Sequence, residues 1–258
     1  MLKRQIDTRT GVSLSIIAAL LILVIFGLFH IRHDPGPYKY RYETFTSQER
    51  IQLHIIRTAA DNIEPISIAT NLKDSGYMGI NAGFFYEGKL LSIAIVNGAA
   101  ANGGLADYGS GGSNVKYERG TFVFDKLAKK SSIQVVQSAA DIQVLDRAQY
   151  WAVGGVSMSL NNPRWKERAE QEALPAMNEA RLRSGILHDE AAKAYAVVTP
   201  DRVTAEQFRQ AIREYMNMKR ISGDGIFLDG DGLAQLYAHE QYIRGDERKV
   251  YAMLRLLQ

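Results

Sequence analysis

Two carboxylates one residue apart, Asp229 and Asp231, lie in the run Ile226-Phe-Leu-Asp-Gly-Asp-Gly-Leu-Ala-Gln-Leu-Tyr237. Ile226, Phe227 and Leu228 read as a short buried strand, and Leu233–Tyr237 resumes in an apolar, β-compatible pattern. Glycines at 230 and 232 let a ligand approach the backbone closely. On an extended strand the two carboxylates would share a face. They could then act as acid and base, or one could raise the pKa of the other. Asp-Gly is also a favoured hairpin turn, and that alternative stands beside the first. Asp229, Asp231 and Glu240 fall at positions 1, 3 and 12 of an EF-hand register. Leu233 and Ala234 occupy positions 5 and 6, where that loop needs an oxygen ligand and Gly, so the register fails. No cofactor is required by any motif; a looser divalent cation site on Asp229 and Asp231 is the one that the residue types allow.

Two further side chains have useful chemistry. Arg183 is a candidate anion clamp, because guanidinium grips phosphate oxygens bidentately; the alternative is a surface ion pair. Asn81 could donate from its amide to a sugar hydroxyl or a phosphate, or serve as a turn residue. Other chemistries fail on spacing. Leu228 stands where a GxGxxG fingerprint begun at Gly223 needs its last Gly, and no GxxxxGK[ST] loop occurs. Gly155-Val-Ser-Met-Ser159 lacks the closing Gly of a nucleophile elbow. The five histidines include no HExxH, and there are no cysteines, which excludes disulfides, thiolate catalysis and Cys-ligated zinc.

The elements that must position these residues are mostly strands. Alternation marks Arg50–Ile56, and apolar runs mark Ile66–Ala69, Leu90–Val96, Thr121–Phe124 and Ile133–Val136. Gly76–Phe85 and Tyr150–Leu160 read as strands broken by glycine, and Leu182–Leu187 and Ala194–Val198 as short strands. Asn97-Gly98 is a hairpin signal. Ala99–Ser113 reads as a long loop. Thr204–Met216 is the clearest helix: Thr204 and Gln207 fit a capping box, and Phe208, Ala211, Ile212, Tyr215 and Met216 make one apolar stripe. Pro163–Ala173 is a second helix by composition. Many strands, few helices and no regular βα alternation indicate an α+β fold with mixed or antiparallel sheets.

Of the 258 residues, 31 are basic and 28 acidic, for a net charge of +3. Lys3, Arg4 and Arg9 against Asp7 account for +2 of that, so the rest is nearly neutral (28 basic, 27 acidic). Nucleic acid is therefore not an expected partner, since phosphate backbones need a concentrated basic face. Val12–Phe29 is apolar apart from Ser13, Ser15 and Gly27, long enough to span a bilayer as a helix. Positive residues precede it and no small-x-small cleavage site follows. The expected organisation is a cytoplasmic tail (1–10), an uncleaved transmembrane signal anchor (11–30), a linker (31–45) and an extracytoplasmic domain (46–258). The protein would be single-pass in the membrane, with its N-terminus cytoplasmic.

Four stretches in order resemble the phosphodiester glycosidase family, which includes the mammalian uncovering enzyme and bacterial exopolysaccharide-associated proteins. Gly79-Ile-Asn-Ala-Gly-Phe-Phe85 resembles its Gly-Ile/Val-Asn-Gly-Gly-Phe-Phe motif, and Leu90–Gly98 the strand and turn that follow. Ala152-Val-Gly-Gly155 resembles its Ala-Val-Gly-Gly stretch, Arg183-Ser-Gly185 stands at its Arg-Thr-Ala segment, and Leu228-Asp-Gly-Asp-Gly232 with Gln235-Leu-Tyr237 resembles its Leu-Asp-Gly-Gly-Gly-Ser-Ser end. The likeness covers about residues 50 to 240. It implies hydrolysis of a sugar-1-phosphodiester in cell-envelope or exported polysaccharide. It carries over Asn81, Arg183 and Asp229 as catalytic residues; Asp231, where the family has Gly, would assist them or bind a metal. It also carries over Gly83, Phe84, Asn97, Gly155, Gly230 and Gln235 as substrate-binding positions. Ala82 and Asp231 replace motif glycines, and Leu233 and Ala234 replace two small hydroxyl residues. Those departures keep open a non-catalytic module that binds a glycan or phosphoglycan in the same cleft. A divalent-dependent transferase acting on a nucleotide sugar is a third reading.

Overall fold

Apolar side chains on both faces of the long strands show that one sheet is covered on both sides. The computed structural model describes residues 38–101 and 109–258, and Lys39–Gln258 forms one unit. The tail and anchor expected over 1–30 lie outside the described residues. Among those that are described, no helix is long and apolar enough to cross a membrane.

In chain order, β1 (Tyr40–Thr46) and β2 (Gln52–Ala59) form a hairpin, followed by β3 (Ile63–Thr70). Short pieces come next: β4 (Gly79–Asn81), β5 (Phe85–Tyr86), β6 (Lys89–Leu90), β7 (Ala94–Val96) and β8 (Ala99–Ala100). A second hairpin, β9 (Arg119–Asp125) with β10 (Lys130–Val136), leads to β11 (Tyr150–Gly154) and β12 (Val156–Ser157). Helix α1 (Trp165–Gln171) precedes the long hairpin of β13 (Arg181–Asp189) and β14 (Lys193–Val203). Helix α2 (Ala205–Lys219), β15 (Gly223–Phe227), β16 (Leu236–Tyr237), β17 (Tyr242–Ile243) and β18 (Val250–Leu256) complete the order.

The pairings among the named strands are all antiparallel. They make a six-stranded sheet β1-β2-β14-β13-β15-β12, two five-stranded sheets, β10-β9-β11-β7-β8 and β17-β16-β4-β18-β3, and the β5-β6 ribbon. The α+β expectation thus holds in its antiparallel form, with two α-helices among the described residues.

Strand parity assigns the layers. Leu53, Ile55, Leu187, Tyr195, Val197 and Phe227 point to one face of the six-stranded sheet and form a core with Phe208, Ile212 and Tyr215 of α2. Residues of the other parity, among them Ile56, Ala196, Ser184 and Ile226, belong to the opposite face. There His188 meets the ring of Phe122, which stacks on Trp151 with centroids 5.0 Å apart. Asn97 and Gly98 both have positive φ (51° and 80°) and close β7 onto β8, as a type I′ turn requires.

Three expectations change. The linker expected to reach residue 45 ends earlier, because β1 pairs with β2 from Tyr40 onward; the alternating tyrosines mark an edge strand. The strand expected over Leu90–Val96 divides into β6 and β7. The strand expected from Leu233 begins only at Leu236, after a 3-10 turn over Asp231–Leu233.

The Thr204 hydroxyl accepts from the Gln207 amide at 3.2 Å, and the Gln207 side chain accepts from the Thr204 amide at 3.0 Å. Thr204→Ala should destabilise the domain by roughly 0.5–2 kcal/mol, read from chemical denaturation with an unchanged m-value.

Candidate functional site

Asp229 lies just past the end of β15, where the six-stranded sheet meets β4. The Leu228 amide donates to the Ser184 carbonyl on β13, and the Asp229 amide donates to the Ala82 carbonyl beyond β4. The Asp229 carbonyl oxygen accepts from Asn81 Nδ2 at 2.7 Å and from the Ser184 hydroxyl at 2.6 Å. Asn81 Nδ2 also donates to Ser184 Oγ at 3.0 Å, and Asn81 Oδ1 accepts from the Gln235 amide at 3.1 Å. Asn81 and Ser184 are each 1% exposed. Such a closed polar network is stable only when every member has its partner.

The Asp229 carboxyl is turned the other way along the chain. Oδ1 accepts from the Gly230 amide at 2.9 Å, and the Phe85 amide bonds to the same carboxyl. Asp229 keeps part of its surface open, but crowding by protein raises the pKa of its carboxyl to about 7. The two amides and the Arg248 guanidinium pull the other way, and Asp231 adds slightly to the rise. A carboxylic acid half-protonated near neutrality can give and take a proton.

The other expected site residues divide into those at this point and those elsewhere. Asn81 is at the site, but its amide is spent on protein partners, so it holds the Asp229 backbone and not a ligand. Gln235 is fully buried, takes the Leu72 amide on Oε1 and donates Nε2 to the Arg248 carbonyl. Gly83, Gly155 and Gly230 permit close backbone approach. A Cβ on them would lie 2.5 Å from the Gly154 carbonyl, 2.1 Å from the Phe227 carbonyl and 2.8 Å from the Leu182 carbonyl, respectively. Phe84 packs into the main core, and its amide donates to Ser92. Asn97 sits exposed at its hairpin tip and accepts from Lys126 Nζ at 2.8 Å. It is the far end of β7 from Ser92, about 16 Å away along an extended chain.

Arg183 points from the opposite face of β13 to Ser184. It is 6% exposed and donates to the carbonyls of Val203, Pro175, Ala176 and Glu179 at 2.5–3.4 Å. Burial lowers its pKa to about 10, and Arg181 adds to the fall. The guanidinium expected to clamp an anion instead pins the chain around residues 175–179.

Asp231 does not share a face with Asp229. The chain turns at Gly230, and Asp231 takes a left-handed backbone (φ 54°). Its carboxylate pairs with Arg181 at 3.1 Å and Arg202 at 3.5 Å. The two carboxylates thus have separate partners. Among the described residues no group of three His, Cys, Asp or Glu side chains is placed to hold a metal.

Three residues near the site had escaped the sequence reading. Ser184 could have been found by alternation, as the neighbour of Arg183 on the other face. Arg248, which pairs with Asp246 and lies electrostatically close to Asp229, gave no local signal. Neither did Arg119, whose guanidinium lies over the Phe84 ring.

No protein-family model matches the chain, and no curated protein matches it in sequence. Among solved structures, the catalytic domain of zebrafish N-acetylglucosamine-1-phosphodiester alpha-N-acetylglucosaminidase, auto-inhibited by its pro-peptide, is similar in fold. The TM-score is 0.55 at 12% identity, over 88% of this chain and 85% of that one. A hypothetical protein from Synechocystis aligns at a TM-score of 0.42 and 12% identity, over 84% of this chain and 61% of that one. The first likeness establishes a distant relationship of fold.

Two outcomes follow from the Asp229 geometry. Asn81→Ala should destabilise the domain by roughly 1–3 kcal/mol, because it leaves the Asp229 carbonyl and the Gln235 amide short of a partner. Between pH 4 and 7 the folded chain keeps a proton on Asp229 that the unfolded chain, at 3.8, has released. Stability should therefore fall as pH rises through that window. Asp229→Asn should lose this slope, and at pH 8 the variant should gain on the wild type by on the order of 4 kcal/mol at most. Thermal unfolding of both proteins from pH 4 to 8 measures the difference.

Proposed function

We propose that the domain is a hydrolase that cleaves sugar-1-phosphodiester bonds, held at the extracytoplasmic membrane surface by an N-terminal anchor and acting on cell-envelope or exported polysaccharide. The observation that carries the reading is the Asp229 carboxyl: its backbone is locked, two amides aim it, and burial raises its pKa to about 7. The likeness in fold to a phosphodiester glycosidase domain supports the substrate class.

In this reading Asp229 is the general acid. Water adds to the anomeric carbon and releases one proton to solvent, the bond from that carbon to the phosphate oxygen breaks, and the Asp229 proton passes to the departing phosphate; Asp229 then regains a proton from solvent. The sugar leaves with a hydroxyl and the remainder as a phosphomonoester. Glycosidases commonly use two carboxylates. A phosphate is a better leaving group than a sugar alkoxide, so one acid suffices. Arg248, more than half exposed and electrostatically near Asp229, supplies positive charge for the phosphate at the mouth.

A non-catalytic glycan-binding module has one observation in its favour. Leu233 and Ala234 pack as apolar residues where the resembling family has small hydroxyls, which removes polar lining.

The full chain in detergent, incubated with an N-acetylglucosamine nucleotide diphosphate, should release free sugar. Asp229→Asn should lower the rate by roughly 10²–10⁴-fold. Wild-type turnover should fall as pH rises above about 7, where the acid is ionised, and a chelator should leave it unchanged. Full turnover by Asp229→Asn would refute the role, and saturable glycan binding without turnover would favour the binding module.

A further inference from the structure

Arg119 begins β9 and is 6% exposed, yet no carboxylate lies within ion-pairing distance of it among the described residues. Burying a cation without a counter-charge is costly unless hydrogen bonds or a ligand compensate it. The Glu172 and Asp229 carboxylates act on Arg119 only from beyond ion-pairing distance, and hydrogen bonds compensate in part. Nε donates to the Glu172 carbonyl at 3.0 Å, and Nη2 makes a long contact with the Ala173 carbonyl at 3.5 Å. Its Cζ lies over the Phe84 ring, 4.9 Å from the centroid, and over the Tyr117 ring at 5.3 Å. Nη1 has no acceptor among the described residues, and it is not sealed from solvent.

Two adjacent residues, Phe84 and Phe85, connect Arg119 to the acid. Phe84 carries the ring beneath the guanidinium, and the next residue, Phe85, gives its amide to the Asp229 carboxyl. Arg119 and Asp229 are within electrostatic reach of each other. The other buried guanidiniums differ. Arg183 and Arg209 each donate to four backbone carbonyls, which leaves them no comparable opening.

We infer that Arg119, whose guanidinium lies over the rings of Phe84 and Tyr117 and whose Nη1 has no acceptor among the described residues, is the residue that binds a phosphate oxygen of the substrate beside Asp229. The anion is a phosphate ester; the assignment deepens the phosphodiester reading and rests on it for that identity. Contact with both rings restrains the guanidinium, so the donor is in place before the ligand arrives. A buried cation with few competing acceptors also favours an anion more than an exposed one does. The motif Phe84 then acts through its ring, as the platform for Arg119.

Calorimetry on the full chain in detergent tests this by binding alone, with inorganic phosphate and N-acetylglucosamine-1-phosphate as probes. The wild type should bind both saturably. Arg119→Lys keeps the charge but loses the planar fork, and should weaken both by about tenfold or more. Arg183→Lys, at a guanidinium already spent on carbonyls, should weaken them less than about threefold. Equal affinity in the wild type and a folded Arg119→Lys would overturn the assignment, as would a wild type that binds neither probe. Should the variant fail to fold, the ¹⁵N resonance of the Arg119 guanidinium in the wild type should move on phosphate addition; a line that stays put overturns the assignment. Failure of the hydrolase reading shows separately, as absent sugar release while these binding differences persist.

Discussion

The Asp229 carbonyl oxygen is the joint on which the site depends. Two donors reach it from different sheets, Asn81 at the end of β4 and Ser184 on β13. They are separated from Asp229 by 148 and 45 residues of chain. A carbonyl with two short bonds fixes the peptide plane, and the plane fixes where the carboxyl starts. Hydrogen bonds inside a buried network are strengthened by the low local dielectric, and the same condition makes any missing partner expensive. The sheets therefore have to be assembled before Asp229 can be aimed, and once assembled they leave it few alternatives.

The same assembly sets the chemistry of the carboxyl. Crowding favours its neutral form, while two amides and Arg248 favour the charged form. The balance leaves a pKa of about 7, high for an aspartate. Among the described residues three guanidiniums are buried, and they show how differently one residue type can be used. Arg183 and Arg209 tie loops together through carbonyl oxygens. Arg119 lies over two rings and keeps donor capacity in reserve.

Local signals in the sequence were legible where local physics decides. The Thr204–Gln207 box, the apolar stripe of α2 and the Asn97-Gly98 turn each depend on a few neighbouring residues, and each is present in the structure. The buried strand that runs up to Asp229 was also legible, because an apolar run ending in Asp-Gly has few ways to continue. Arg183 and Asp231 were misread for one reason: a charged side chain is defined by its partners, and theirs come from loops that sequence does not place. Arg183 meets residues 175–179 only because the chain before β13 folds over it. Arg119 and Arg248 carry no pattern at all; their importance arises from position alone.

The departures from the resembling family's first and last motifs can be read the same way. Ala82 in place of Gly is 1% exposed, has no left-handed backbone, and still offers its carbonyl to the Asp229 amide. Asp231 takes a left-handed conformation, which glycine adopts freely and aspartate tolerates better than most residues. Its charge is met by Arg181 and Arg202. Neither change touches the two donors on the Asp229 carbonyl. Leu233 and Ala234 differ in kind, since they replace hydroxyls with packing. The differences from the resembling motifs thus leave the hydrogen bonds around the Asp229 backbone intact and change the side chains that follow it.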